Sequence, residues 1–279
     1  MITLSQITIE DLRRYRDDPS VSQSQLKALI GGGKKDSKKL LTGSVVDMML
    51  TTDHLFDELF VVMDNKKPSD SVCEILDSAF SGRMSDDYGS NLDNIVETAR
   101  RVQYQERLSN EALRKTFSND RCESYWYALK DIENGKQIVS LDEIEKAAYV
   151  ASMAKMSSVT AKYLLNVDDN DRYYQVPIYW FDNVPCKGLL DMVIVEHDTK
   201  TVYIVDVKTT SSNITEWFGV ARSLNYPFQM AFYRDGWERQ EMYWDYDVKC
   251  RWIVINTSEG RFEPYVVECT EEMLNLGRY

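Results

Sequence analysis

Two apolar runs, CKGLLDMVIVE (186–196) and TVYIVDVKTT (201–210), stand only four residues apart. The link His197-Asp198-Thr199-Lys200 is turn-forming and far too short for a helical crossover, so the runs must fold back on each other as an antiparallel hairpin. With the turn centred between Asp198 and Thr199, residues equidistant from it pair: Glu196 with Thr201 and, further along, Asp191 with Asp206. Directly opposed residues share a face, with Cβ atoms roughly 5 Å apart. Two carboxylates so placed repel unless something positive lies between them. The strand period of two puts Lys208 on the face of Asp206. A slip of one residue would send Asp191 to the other face, so the whole constellation depends on this register.

A hard divalent cation suits such a pair. Mg²⁺ takes one or two carboxylates and completes its shell with water and substrate phosphates. Lys208 would act beside it as a point donor to a water or a phosphate oxygen. Asp-x-Lys pairs on exposed edge strands are commonly solvated charges, but the apolar flanks here argue for burial, and a buried carboxylate pair without compensation is costly. The segment NYPFQMAFYRDGWE (225–238) reads as a helix. It places Gln229 and Tyr233 one turn apart on one face, with Phe228 and Phe232 as a separate core-facing pair. Gln229 and Tyr233 are a surface polar group and a packing ring on the plainest reading. Following the Asp-x-Lys strand directly, they are also placed to meet a phosphate or a base.

The rest of the chain supports an α/β architecture. Ile7, Leu12 and Tyr15 mark a first helix. VSQSQLKALI (21–30) marks a second, capped by Ser22 or Ser24 and stopped by Gly31-Gly32-Gly33. GSVVDMMLT (43–51) gives a short apolar helix with Asp47 in its middle. Residues 85–94 read as a loop and 92–115 as a helix. Ser140-Leu141-Asp142-Glu143 is a capping box opening a helix over 141–165. Strands follow at 172–181, 186–196 and 201–210, then helix near 214–239 and strands at 248–257 and 261–269. The expected organisation is a mainly helical region, 1–138, contributing to the active-site cleft, and an α-β-β-β-α-β core with a mixed sheet at 139–279.

Composition narrows the chemistry. Five scattered cysteines without a C-x-x-C pair point to reduced thiols and a cytoplasmic setting rather than a disulfide framework or thiolate zinc site. Only two histidines, His54 and His197, are present, both expected on surfaces or loops, so a histidine metal site or triad is poorly supplied. The net charge of −12 gives no global nucleic-acid signature, although bound metal inverts a local field. The opening MITLSQITIEDLRRY is acidic and amphipathic, unlike a signal peptide.

Taken together, Gly188-x-x-Asp191, Asp206-Val207-Lys208-Thr209-Thr210 and Gln229-x-x-x-Tyr233 resemble the PD-(D/E)xK nuclease superfamily. Their order is similar to the RecB/RecE-type phage and prophage exonucleases of the exodeoxyribonuclease VIII group. The stronger part of the resemblance covers about 140–270. SQSQLKAL and GSVVDMMLTTDHLFDELFVV are similar, less strongly, to that group's early helices. Two positions depart from its pattern: Asp47 stands where an early His ligand is usual, and Gln175 where a Glu precedes the G-x-x-D strand.

The resemblance implies a restriction-endonuclease-like fold and Mg²⁺-dependent DNA exonuclease activity, with Mn²⁺ as a substitute. It implies Asp191, Asp206, the Val207 carbonyl and Asp47 as metal ligands, Lys208 beside the attacking water, and Gln229 and Tyr233 against the scissile strand. It further implies double-stranded DNA ends as substrate in phage-type recombination or DNA processing, a single-strand-annealing recombination partner, a homo-oligomeric ring, and a bacterial cytoplasm as the setting. Two other readings compete. One is an endonuclease or RNA-specific nuclease of the same fold. The other is a catalytically degenerate fold serving as an acidic binding or DNA-mimic protein, which the charge, Asp47 and Gln175 favour and the five remaining site residues disfavour.

Overall fold

The computed structural model describes residues 6–30, 37–64, 66–166, 169–258 and 262–278. The chain forms two compact units, Met1–Leu55 with Lys146–Tyr279, and Phe56–Glu145. The division therefore differs from the expected boundary at 138. The first 55 residues belong with the sheet, because their helices pack on its strands, as described below.

Helix α1 (Ile9–Asp17) starts where Thr8 and Asp11 form a reciprocal capping box. A short strand β1 (Val21–Ser22) leads into α2 (Gln23–Ile30). Ser22, rather than Ser24, is the cap: its backbone N–H donates to Gln25 Oε1 at 2.8 Å, and its Oγ accepts from the Gln25 N–H. The expected stop at Gly31-Gly32-Gly33 lies outside the described residues. Helix α3 (Ser37–Thr51) follows, longer than the predicted apolar segment.

The second unit holds α4 (Phe56–Leu59), β2 (Phe60–Met63), α5 (Asp70–Ser81), α6 (Leu92–Arg101), α7 (Asn110–Phe117), α8 (Asp120–Glu133) and β3 (Gln137–Ser140). Strands β2 and β3 pair in parallel. Ile75, Leu76, Ile95, Leu113, Phe117 and Trp126 form its core. The single helix expected over 92–115 is two, because Gln103 and Gln105 adopt φ of 60° and 45° and Ser109 caps a new start at α7.

The capping box at Ser140 and Glu143 is present, with Ser140 N–H donating to Glu143 Oε2 at 3.0 Å. It opens α9 (Leu141–Met156). The helix expected to run to 165 is interrupted, and α10 (Ala161–Leu164) is separate; between them the Thr160 hydroxyl donates to the Ala154 carbonyl at 2.5 Å. Then come β4 (Asp171–Asp182), β5 (Val184–Glu196), β6 (Thr201–Thr210), α11 (Trp217–Ser223), α12 (Tyr226–Glu238), β7 (Asp247–Asn256), β8 (Pro264–Cys269) and α13 (Glu271–Arg278). The result is a mixed α/β fold whose six-stranded sheet runs β1-β5-β6-β7-β8, with β4 on the other edge of β5. Among the described residues no helix is long and apolar enough to cross a membrane.

The hairpin has the register set by a turn centred between Asp198 and Thr199: Glu196 pairs with Thr201 and Met192 with Val205. Asp191 and Asp206 come next, and there the β5–β6 ladder ends. Beyond it the same edge of β5 is taken by β1, with Val21 opposite Cys186 and Ser22 opposite Lys187. On the other edge, β4 pairs at Tyr174–Met192 and Val176–Leu190 but skips Gln175 opposite Asp191. Gln175 has φ 48°, a left-handed conformation that a side chain adopts only when its surroundings hold it there. Alternation slips at this level on both strands. Tyr173 packs against the same core that Val176, Ile178 and Trp180 enter, and so do Val195, Val193, Leu190 and Cys186. The sheet therefore forks at Asp191.

Candidate active site

Three carboxylates meet at the fork: Asp191 and Asp206 from the hairpin, and Asp47 from α3. Val195 with Val202 and Val193 with Ile204 form apolar cross-strand pairs in the core. The next pair on that face is Asp191 and Asp206. Freed from the ladder, the Asp191 carboxylate accepts the backbone N–H of Val207 through Oδ2 at 2.9 Å. Asp206 is 1% exposed. Lys208, two residues on, lies with Nζ 2.5 Å from Asp206 Oδ2 and also donates to the Val207 carbonyl at 3.5 Å. Lys208 is thus the partner of Asp206 Oδ2, while Asp206 Oδ1 has no hydrogen-bond partner among the described residues.

Asp47 joins from α3. Gly43, one turn earlier, lets the helix approach β6: a Cβ there would stand 2.9 Å from Thr209 Oγ1. Asp47 Oδ2 accepts from Gln175 Nε2 at 3.0 Å, while its Oδ1 is buried with no partner. The strained backbone of Gln175 thus aims a neutral donor at the carboxylate that most needs one.

The electrostatics follow from burial and crowding. Burial raises Asp47 to about 7, with Lys208 and the Gln175 amide pulling down and Asp206 pushing up. Asp191 is driven well above the carboxylate range by burial and then by the charges of Asp47 and Asp206. Asp206 is raised by burial against the pull of Lys208. Burial alone would lower Lys208, but Asp206 and Asp191 outweigh it and hold its ammonium above the usual lysine value.

Helix α12 supplies the fourth wall. Gln229 Nε2 donates to the Tyr233 hydroxyl at 3.0 Å, so the pair expected on one helical face is joined. Tyr233 is buried, and its hydroxyl is pushed well above its ordinary value by burial and by Asp206 and Asp191. Gly188 makes room for the ring: a Cβ there would lie 3.2 and 3.3 Å from two Tyr233 ring carbons and 3.1 Å from Ile178 Cγ1. The Gly-x-x-Asp spacing thus seats the tyrosine and delivers the aspartate from one strand. Gly188→Val is expected to cost about 1–3 kcal/mol through overpacking, measured by denaturant unfolding; an unchanged midpoint would refute this packing role.

All the residues expected at the site, Asp47, Asp191, Asp206, Val207, Lys208, Gln229 and Tyr233, are gathered here. Tyr226 was not anticipated. Its ring centroid is 5.1 Å from Lys208 Nζ, and Trp217 packs behind it at 5.6 Å between centroids. Its signal in the sequence is the stripe Tyr226, Gln229, Tyr233 at helical spacing. His54 and His197 are exposed and apart from the site.

Among the described residues no group of three or more His, Cys, Asp or Glu side chains converges tightly enough to hold a metal ion. The donor set still suits Mg²⁺, which needs one or two protein carboxylates and keeps its waters. Asp206 Oδ1 and Asp47 Oδ1 are buried hard oxygen atoms lacking a hydrogen-bond partner among the described residues, and the Val207 carbonyl is turned toward the Lys208 ammonium.

No protein-family model matches the chain, and no curated protein matches it. Among solved structures it is similar to one described as a "Putative exonuclease" from Eubacterium rectale, at 12% identity and a TM-score of 0.49, covering 98% of this chain and 82% of that one.

Proposed function

We propose that the chain is a Mg²⁺-dependent nuclease that hydrolyses DNA phosphodiester bonds from duplex ends. The observation that carries this reading is a pair of buried carboxylate oxygens, Asp47 Oδ1 and Asp206 Oδ1, without a hydrogen-bond partner among the described residues, held beside Asp191 and the half-buried Lys208 at a fork in the sheet. A purely structural cluster would have these oxygens hydrogen-bonded, because a buried unsatisfied acceptor costs about 1–3 kcal/mol or more.

One or two of the carboxylates Asp191, Asp206 and Asp47, with the Val207 carbonyl, would hold the cation. When bound, the cation supplies Lewis-acid polarisation of a phosphoryl oxygen and acidifies a coordinated water. The chain's own groups do the rest. Lys208, kept protonated by Asp206 and Asp191, donates to the attacking water or to a phosphate oxygen and offsets the charge gathering there. Tyr233, whose hydroxyl holds its proton and already accepts from Gln229, donates to the strand and fixes its orientation. Tyr226 lies under the lysine and limits its reach.

The test compares end-labelled linear duplex with covalently closed duplex, in Mg²⁺ and in EDTA, beside Asp206→Ala. Loss of the linear substrate alone, only with Mg²⁺ and only with Asp206, is the expected result. Degradation of closed circles would exclude end-directed action. Absence of Mg²⁺-dependent loss of either DNA would exclude the nuclease.

A further inference from the structure

A cavity of about 380 Å³ opens at the end of α3. Thr51 and Thr52 at the end of α3, Asp53, His54 and Ile7, and Arg172 and Tyr174 on β4 line it. It shares a wall with the site. Thr51 Oγ1 donates to the Asp47 carbonyl at 2.8 Å and accepts from Gln175 Nε2 at 3.4 Å, and that same amide binds the Asp47 carboxylate. One helical turn, about 5.4 Å, therefore separates Asp47 from the cavity.

The lining selects what can enter. The Arg172 guanidinium is taken up by backbone carbonyls of Lys162 at 2.7 Å, Asn170 at 3.1 Å and Tyr163 at 3.3 Å, and by the Asn166 side chain. It cannot open into a fork for a phosphate. Both nitrogens of His54 are also engaged, with Ile7 O and Gln6. Two groups remain. Asp53 is exposed at the rim, in no hydrogen bond or ion pair among the described residues, and offers a carboxylate acceptor. Tyr174 is half-buried, its hydroxyl raised by burial, with no hydrogen-bond partner among those residues, and it adds an aromatic ring. An acceptor, a hydroxyl and an aromatic ring without an available cation suit an uncharged, flat ligand bearing N–H or O–H donors. The volume falls in the small-molecule range of about 300–1,000 Å³.

We infer that this cavity takes the terminal nucleoside of the strand cut at Asp191 and Asp206, with its base against Tyr174 and a base or sugar donor on Asp53. The inference rests on the nuclease reading for the identity of the ligand, and it adds that the product is a single nucleotide. A pocket sized for one nucleoside, one helical turn from Asp47, sets the cut at the first linkage.

The probe is 2′-deoxyadenosine, which has no phosphate to engage a metal, followed by saturation-transfer NMR in EDTA with the full chain. The wild-type protein is expected to bind it saturably. Asp53→Trp, which fills the rim from an exposed position, should weaken binding at least tenfold, and Asp206→Asn should leave it unchanged. On linear duplex with Mg²⁺, the wild-type product should be mononucleotide. Absence of nucleoside binding, equal binding by Asp53→Trp, or oligonucleotide products from the wild-type protein would overturn the inference. Nucleoside binding without Mg²⁺-dependent cleavage would instead uphold the pocket and remove the nuclease.

Discussion

Lys208→Met should destabilise the metal-free protein by about 3–5 kcal/mol, the cost of leaving one partner of a buried ion pair without the other. Methionine keeps the bulk of the side chain, so the loss is electrostatic. Asp206, at 1% exposure, would face Asp191 and Asp47 with no cation in reach. Asp206→Asn should be close to neutral, because it removes a buried charge while Lys208, with 15% of its side chain exposed, keeps water and Asp191 as partners. The double variant should recover most of what Lys208→Met loses. Denaturant unfolding of all four proteins gives the coupling energy directly. If Lys208→Met unfolds at the wild-type midpoint, the 2.5 Å contact contributes nothing and the lysine is not needed to keep the carboxylates buried. Activity should separate from stability: both single variants should lose cleavage, although only one loses stability.

The second large effect is on pH. A carboxyl whose folded value is raised above its unfolded value binds more protons when folded, so stability falls as pH rises between the two values. Asp47, raised to about 7, should therefore erode the stability of the metal-free protein between about pH 4 and pH 7. Asp191 and Asp206 act in the same direction. At 1.36 kcal/mol per unit, Asp47 alone sets a ceiling of about 4 kcal/mol, reduced by the solvent contact it retains. Asp47→Asn should flatten this slope and be more stable than wild type at neutral pH in EDTA. Mg²⁺ should reverse the order, adding to wild-type stability about 2.7 kcal/mol at a hundred times its Kd. A metal-free wild-type protein that gains stability from pH 4 to pH 7 would contradict the crowding of these carboxylates.

Much of this site could be read from the sequence because it is local. The turn at 197–200 fixes the register of β5 on β6, and period-two geometry then places Asp191, Asp206 and Lys208 on one face. Gln229 and Tyr233 follow from helical spacing. The kink could not be read. Gln175 is an unremarkable letter in RYYQVPIYWF, and its left-handed backbone belongs to the break in the β4–β5 ladder opposite Asp191, which no local pattern marks. The helix breaks at 102–109 and 157–160 were missed because hydrophobic periodicity continues across them while caps and backbone turns decide otherwise. The strand β1 was missed because two residues carry no period. The aromatic-rich stretch 225–252 divides between core and surface: Trp237 and Trp252 are buried, whereas Trp244 is 85% exposed.

The glycine that lets α3 approach β6 has a consequence for how the protein is made. Gly43 and Asp47 meet Thr209 and Gln175 across more than a hundred residues of chain. Contacts of such sequence separation form late, since closing the loop costs entropy before any contact is gained. During synthesis, Phe56–Glu145 leaves the ribosome with its own core complete, while the first 55 residues wait for strands not yet translated. The apolar side of α3, with Val45, Val46 and Leu50 buried in the finished fold, must stay unpaired over that interval. A nascent chain of this design is most exposed to aggregation and proteolysis before β6 emerges, and the carboxylates become a site only when nearly the whole chain has been made.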